Sequence, residues 1–254
     1  MKHLQAANRE PGSARSAFVL VHGAWHGGWS WRKLQPLLGQ AGHLVFAPTL
    51  TGLGERRHLL SRDIGLNTHV NDVRNLLELE DLRNVILVGH SYAGMVITGV
   101  AAAVPERIGR LVYLDAFLPE DGKSLNDYVP TMVPGYERSV AGNGEGWRLP
   151  FSGALSLEAL GITDPADVAW MAPRMGDQPY RTFVEPVSAP EETLAPLDRV
   201  YILSSRRPHY LAAVERARAR GFSIVEVPGA GHDVMVTQPA ELADALLRLA
   251  ARAG

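Results

Sequence analysis

The chain has 254 residues, of which 46% are hydrophobic and 20% charged, with a formal net charge of −2 and no cysteine. This length fits one α/β core carrying an insertion, and the near-neutral charge leaves no basic footprint for nucleic acid or an anionic membrane. The lack of cysteine removes disulfides, thiolate nucleophiles and cysteine-based metal sites together.

In chain order, residues 1–16 are polar, contain Pro11, Gly12 and Ser13, and are read as a flexible leader. They lack the apolar stretch of a secretory signal, and the longest apolar run, Ala93 to Val104, is too short and too rich in Gly and Ala to span a bilayer. A cytoplasmic location is the default expectation. Six short apolar runs then read as strands: Phe18–Val21, Leu44–Ala47, Val85–Val88, Leu111–Leu114, Val200–Leu203 and Ile224–Val227. Their nearly continuous apolar character indicates burial on both faces, as in a parallel sheet. Between them, Thr68 is placed as the cap of a helix that gathers Val70, Val73, Leu76 and Leu77 on one face. Gly221 is expected to end a helix over residues 210–220, and Pro239 to open the last one, through Leu249.

The predicted fold class is therefore α/β, a mostly parallel central sheet with helices on both faces and ligands at the carboxyl ends of its strands. Residues 17–116 and 197–254 make up this core. Residues 117–196 break the alternation: they are rich in Pro and Gly, with scattered Tyr128, Trp147, Trp170 and Tyr180, and are read as a mainly helical cap. A long disordered loop is the alternative reading of that segment.

The chemistry concentrates in Val85-Ile-Leu-Val-Gly-His-Ser-Tyr-Ala-Gly94, an apolar strand that runs through Gly-x-Ser directly into a helix. A sharp turn that lifts a serine hydroxyl clear of a sheet needs small residues two before and two after it, and Gly89 and Ala93 supply them. Ser91 is the candidate nucleophile. A serine needs a general base, and His232, in the Gly-rich loop after the last strand, is best placed at the same sheet edge. His22, His26 and His90 lie in Gly-adjacent turns and are read as orienting loops. Two amides are expected to form an oxyanion hole, that of Tyr92 after the nucleophile and that of Ala24 in the turn after the first strand. That turn lacks the G-x-G-x-x-G spacing and the downstream acid of a dinucleotide site. Trp25, Tyr128 and Trp147 are the candidate substrate contacts, although a tryptophan in a cap can equally be core.

Three stretches, Phe18 to Trp31, Val88 to Met95 and Gly229 to Pro239, resemble the methylesterase and hydroxynitrile lyase group of α/β-hydrolases. The resemblance runs from Phe18 to the C-terminus and implies an α/β-hydrolase fold, no cofactor, no metal and a small-molecule carboxylic ester as substrate. The lyases of that group carry a threonine after the first-turn histidine and a lysine after the catalytic histidine, whereas this chain has Gly23 and Asp233. Because that lysine supports the cyanide leaving group, its replacement favours ester hydrolysis.

The group also places an aspartate after the strand matching Val200–Leu203, where this chain reads Ser204-Ser205-Arg206-Arg207-Pro208-His209. Asp198 precedes that strand, at the wrong end of the sheet. Asp115 ends the strand that follows the elbow helix, at the correct edge, and triads are defined by geometry rather than by position in the chain. It is the expected partner of His232, with Glu120 and Asp121 as weaker alternatives. The other reading has Asp115 capping the start of the insertion while His232 works with a backbone or water partner. Two rival functions stay open, a lyase or cyclase using the same pocket and a ligand receptor that kept the fold. A homodimer is the one protein partner the sequence leaves open.

Overall fold

Each of the six apolar runs becomes a strand in the computed structural model of the chain, which describes residues 15–205 and 207–251. The leader assigned to 1–16 thus lies outside the described residues except for Arg15 and Ser16. The strands are β1 (Ala17–Val21), β2 (Leu44–Phe46), β3 (Val85–His90), β4 (Ile108–Leu114), β5 (Arg148–Pro150), β6 (Asp177–Pro179), β7 (Arg199–Leu203) and β8 (Ser223–Glu226). Six of them form one sheet in the order β2-β1-β3-β4-β7-β8, every neighbouring pair parallel. Helices α1 (Gln35–Gln40), α2 (Leu66–Leu79), α3 (Ala93–Ala103), α4 (Val133–Asn143) and α5 (Pro165–Met171) come first in the chain. They are followed by α6 (Arg181–Val184), α7 (Glu191–Leu194), α8 (Pro208–Ala219), α9 (Val234–Thr237) and α10 (Pro239–Ala251).

Strand periodicity divides the core between the two faces of the sheet. Val19, Val21, Leu87, Leu111 and Tyr113 pack with α2, α3 and α8, while Phe18, Leu20, Ile86, Val88, Val112 and Leu114 pack with α1 and α10. All six residues of β3 are buried, so the strand that carries the elbow is also the best-anchored one. Gly221 ends the α8 region with φ +75°, as its lack of a β-carbon allows. One cap differs from expectation: α2 starts at Leu66, and Thr68 sits in its first turn with its hydroxyl accepting from the Gly65 amide at 3.3 Å. Gly65 has no side chain to cap with, so the downstream threonine reaches back instead.

Residues 117–196 sit between β4 and β7 over the carboxyl edge of the sheet. They contain four α-helices, in keeping with a mainly helical cap, and also the antiparallel pair β5–β6, for which the sequence gives no signal. Two three-residue strands rich in proline carry no periodic signal, and pairing with each other is what defines them. Two of the fastenings of this segment to the core involve Trp25 and Gly161. Trp25 accepts from the Gly176 amide at 3.1 Å and donates its indole N–H to Leu149 at 2.9 Å. Gly161, at φ +86°, lies so close to the histidine loop that an added Cβ would meet Gly231 Cα at 2.6 Å.

Candidate active site

The sharp turn at Ser91 follows from steric necessity. Ser91 has φ +56°, a left-handed value unusual for a residue with a side chain, and such strain costs roughly 1–3 kcal/mol. Full burial of the preceding Val88, worth roughly 1.5–3 kcal/mol, offsets a cost of that size. A Cβ at Gly89 would meet Ala93 O and Ile97 Cδ1, both at 2.8 Å, and one at Gly94 would meet Phe117 O at 1.9 Å. Gly94 therefore does more than give the helix room, because it lets α3 press against the chain leaving β4.

That chain carries a second elbow. Asp115, directly after β4, has φ +42° and is completely buried. Its Oδ2 lies 2.7 Å from His232 Nδ1. Its Oδ1 accepts from the amides of Ser204 at 3.2 Å and Ser205 at 3.0 Å, and the Ser205 hydroxyl donates to Oδ2. The loop after β7, which lacks its own acid, thus supplies the donors that hold the acid from β4. Glu120 and Asp121 are exposed, and Asp121 accepts from the Ala189 amide at 2.6 Å. Asp198 pairs with Arg110 before β7, away from the site.

A carboxylate at Nδ1 makes that nitrogen the protonated one and leaves the Nε2 lone pair of neutral His232 facing the pocket. It meets the Tyr210 hydroxyl at 3.3 Å, and the same hydroxyl lies 3.1 Å from Ser91 Oγ. Ser91, His232, Tyr92, Ala24 and Trp25 line one narrow cavity of about 460 Å³ of empty space. The Trp25 amide is taken by Gln178 Oε1 at 3.0 Å, which leaves Ala24 as the amide of that turn placed beside the serine. His22 donates from Nδ1 to Gly23 O at 2.8 Å and accepts the Leu50 amide on Nε2 at 3.0 Å, fixing the peptide whose N–H belongs to Ala24. Burial pushes the His22 imidazole down to about 3, so it stays neutral in this role.

Behind His232 lies a buried cluster. His26 Nδ1 contacts Ala24 O at 2.6 Å and Nε2 contacts Asp233 Oδ2 at 3.0 Å; both partners only accept, so the ring must be an imidazolium. Burial opposes that charge, but the Asp233 carboxylate and the Ala24 carbonyl outweigh it and raise the His26 pKa. Asp233, although buried, is held well below the usual carboxylate range by His26. His90 donates from Nε2 to His232 O at 3.0 Å, and burial keeps it neutral, well below its ordinary value. His90, His232 and Asp233 offer side-chain atoms within 4.8 Å of one another. Two of the three already have strong partners, His232 in Asp115 and Asp233 in His26, so the cluster acts as a scaffold that ties the turn after β1 to the histidine loop.

Of the expected substrate contacts, Trp25 lines the cavity but Tyr128 and Trp147 do not. Tyr128 accepts from the Glu120 amide at 2.8 Å and stacks under Arg216, while Trp147 is half-buried beside the β5–β6 pair. Trp170 packs on Trp29, also away from the cavity. The wall is built instead by Phe117, Leu125, Val129, Met132, Tyr136 and Phe183. Spacing along the cap gave no means of selecting these residues, because irregular turns decide which side chains face inward. Tyr210 and His209 were also missed, though both follow β7 at the sheet edge where ligands bind. Burial above all, with the nearby charge of Arg207, pushes His209 down to about 4.

Comparison with known proteins identifies the family. Residues 18–245 match the model of the alpha/beta hydrolase family. A carbendazim hydrolyzing esterase of Nocardioides sp. is 40% identical over 91% of this chain and 98% of its own length. An alpha-hydroxynitrile lyase of Arabidopsis thaliana is 31% identical, covering 92% of this chain and 96% of its own. An extracellular α/β-hydrolase from a Paenibacillus species superposes with a TM-score of 0.79 at 22% identity, covering 92% of this chain and 98% of that one. The chain belongs to the α/β-hydrolase family.

Proposed function

We propose that this chain is a serine carboxylic ester hydrolase in which Ser91 is the nucleophile, His232 the general base and Asp115 the residue that orients it. The observation that carries the reading is the 2.7 Å contact between Asp115 Oδ2 and His232 Nδ1, which turns the basic nitrogen toward the elbow serine. Ser91 Oγ attacks the ester carbonyl, the amides of Ala24 and Tyr92 stabilise the oxyanion, and His232 returns a proton to the leaving alcohol. Water, activated by the same imidazole, then releases the acid. The apolar wall of the cavity favours small esters with an aromatic or branched apolar group.

Ester hydrolysis is preferred to cyanohydrin cleavage because the residue after His232 is an acid turned away from the serine. Asp233 has its charge committed to His26 and offers no cation to a departing cyanide. The test is intact-mass spectrometry of wild type and Ser91→Ala with p-nitrophenyl acetate and a panel of aromatic methyl esters. An acyl adduct on Ser91 with turnover in the wild type, both absent from Ser91→Ala, is the expected result. Turnover of the panel that survives in Ser91→Ala would overturn the assignment.

A further inference from the structure

Between the nucleophile and the base stands a third hydroxyl. Tyr210 Oη is 3.1 Å from Ser91 Oγ and 3.3 Å from His232 Nε2, and no direct Ser91–His232 hydrogen bond is made among the described residues. With His232 Nδ1 donating to Asp115, Nε2 of the neutral ring can only accept, so Tyr210 must donate its single proton there. Its oxygen is then free to accept from Ser91. The arrangement permits one direction of donation, from Ser91 to Tyr210 to His232.

The hydroxyl is held by packing and is not loosely draped over the site. Tyr210 lies in the first turn of α8 and is 2% exposed. Its ring stacks on His232 at 4.9 Å with 12° between planes, meets Phe117 edge-on at 5.6 Å, and touches His209 at 4.1 Å. Burial and the neighbouring Asp115 charge push the phenol further up from its ordinary value, so the group passes protons without standing as a phenolate.

We infer that Tyr210 is a further catalytic residue that relays the proton between Ser91 and His232, an inference that rests on the proposed esterase reading. As Ser91 Oγ bonds to the carbonyl carbon, its proton passes to Tyr210 Oη while the phenol proton passes to Nε2. On collapse the imidazolium proton returns to Oη, the phenol proton goes to the leaving oxygen, and the carbon–oxygen bond breaks. No charge is left on the tyrosine, and every proton is accounted for within these three groups and the substrate.

The test compares wild type with Tyr210→Phe, using phosphonylation of Ser91 by a fluorophosphonate, followed by intact mass, and a proton inventory of ester turnover in H2O/D2O mixtures. Loss of the relay should slow phosphonylation about 100-fold, the scale of one general acid–base contribution. The wild-type inventory should be curved, reporting two protons in flight, and the residual inventory of the variant linear. Labelling of Tyr210→Phe at the wild-type rate or faster would overturn the relay and mark the hydroxyl as a spectator or an obstruction. Should the variant fail to fold, a linear wild-type inventory overturns the relay without it. Prompt labelling of the wild type with no turnover of any ester would instead defeat the esterase reading, and the labelling rates would still judge the relay.

Discussion

The carboxyl edge of the sheet and the cap above it contribute to the same cavity by different physics. At the sheet edge, Ser91 and Asp115 follow the buried parallel strands β3 and β4 through two left-handed turns, at φ +56° and +42°, and His232 sits in the loop after β8. In the cap, the wall residues Leu125, Val129, Met132 and Tyr136 come from short helices and turns that hold together chiefly by packing on the core. The edge fixes geometry to the fraction of an ångström that proton transfer requires. The cap fixes only volume and polarity, which tolerate repacking. Changes at the edge should therefore strike kcat, and changes in the cap should strike KM.

The largest effect is expected at the second elbow. Asp115→Asn keeps the shape of the side chain but removes the charge that holds His232 in the right tautomer, and kcat toward p-nitrophenyl acetate should fall by about 10⁴ with little change in KM. A loss under about tenfold would return the orienting role to another group and break the contrast between edge and cap.

A smaller effect separates edge from cap through pH. His69 accepts from the Tyr92 hydroxyl at 2.9 Å and donates to Thr51 O at 2.9 Å, and burial pushes it down to about 4; His22 lies at about 3. Both stay neutral in the fold and take up a proton on unfolding at any pH below 6.5. Their stabilising contribution is therefore whole above 6.5 and is lost as pH falls toward the folded values, by at most about 1.4 kcal/mol per residue per pH unit. His26 runs the other way, contributing fully below 6.5 and losing its contribution as pH rises through its raised value. Thermal melts from pH 7 to 4.5 should show a falling Tm, with a shallower fall in His69→Gln, whose amide can make both hydrogen bonds without titrating. An unchanged slope in that variant would remove His69 as a source of the acid sensitivity.

The smallest effects lie in the cap. Met132→Ala, in the cavity wall, should raise KM for an aromatic methyl ester about tenfold, as expected for removing roughly 1–3 kcal/mol of apolar contact. Trp147→Leu, outside the wall, should leave KM within about twofold if the indole serves only as packing. The reverse ranking in steady-state kinetics would put the substrate nearer the β5–β6 pair than the cavity places it.

The same division explains what could be read in advance. Ser91 and His232 were legible because each sits in a local pattern, Gly-x-Ser between a strand and a helix and a Gly-rich loop after the last strand. Asp115 has no such local mark and is reached only by elimination along the sheet edge, and the donors that hold it, from Ser204 and Ser205, belong to the loop after β7, 89 and 90 residues away in the chain. Tyr128 and Trp147 stand out in the sequence only as aromatic residues in a cap, and the direction an aromatic side chain faces in irregular structure is not encoded in composition. Thr68 was misjudged by a few positions because a helix cap is a matter of one turn of backbone.

By itself, the sequence determined the parallel sheet, the order of its elements along the chain and the strand–turn–helix around Ser91, because hydrophobic period and glycine placement are local properties. Tertiary structure alone decided three things: the charged His26–Asp233 pair that ties the turn after β1 to the histidine loop, the inward side of the cap, and the position of Tyr210 between Ser91 and His232. Each depends on bringing together side chains far apart in the chain, and their spacing is set by how helices and loops pack against the sheet rather than by any pattern within one segment.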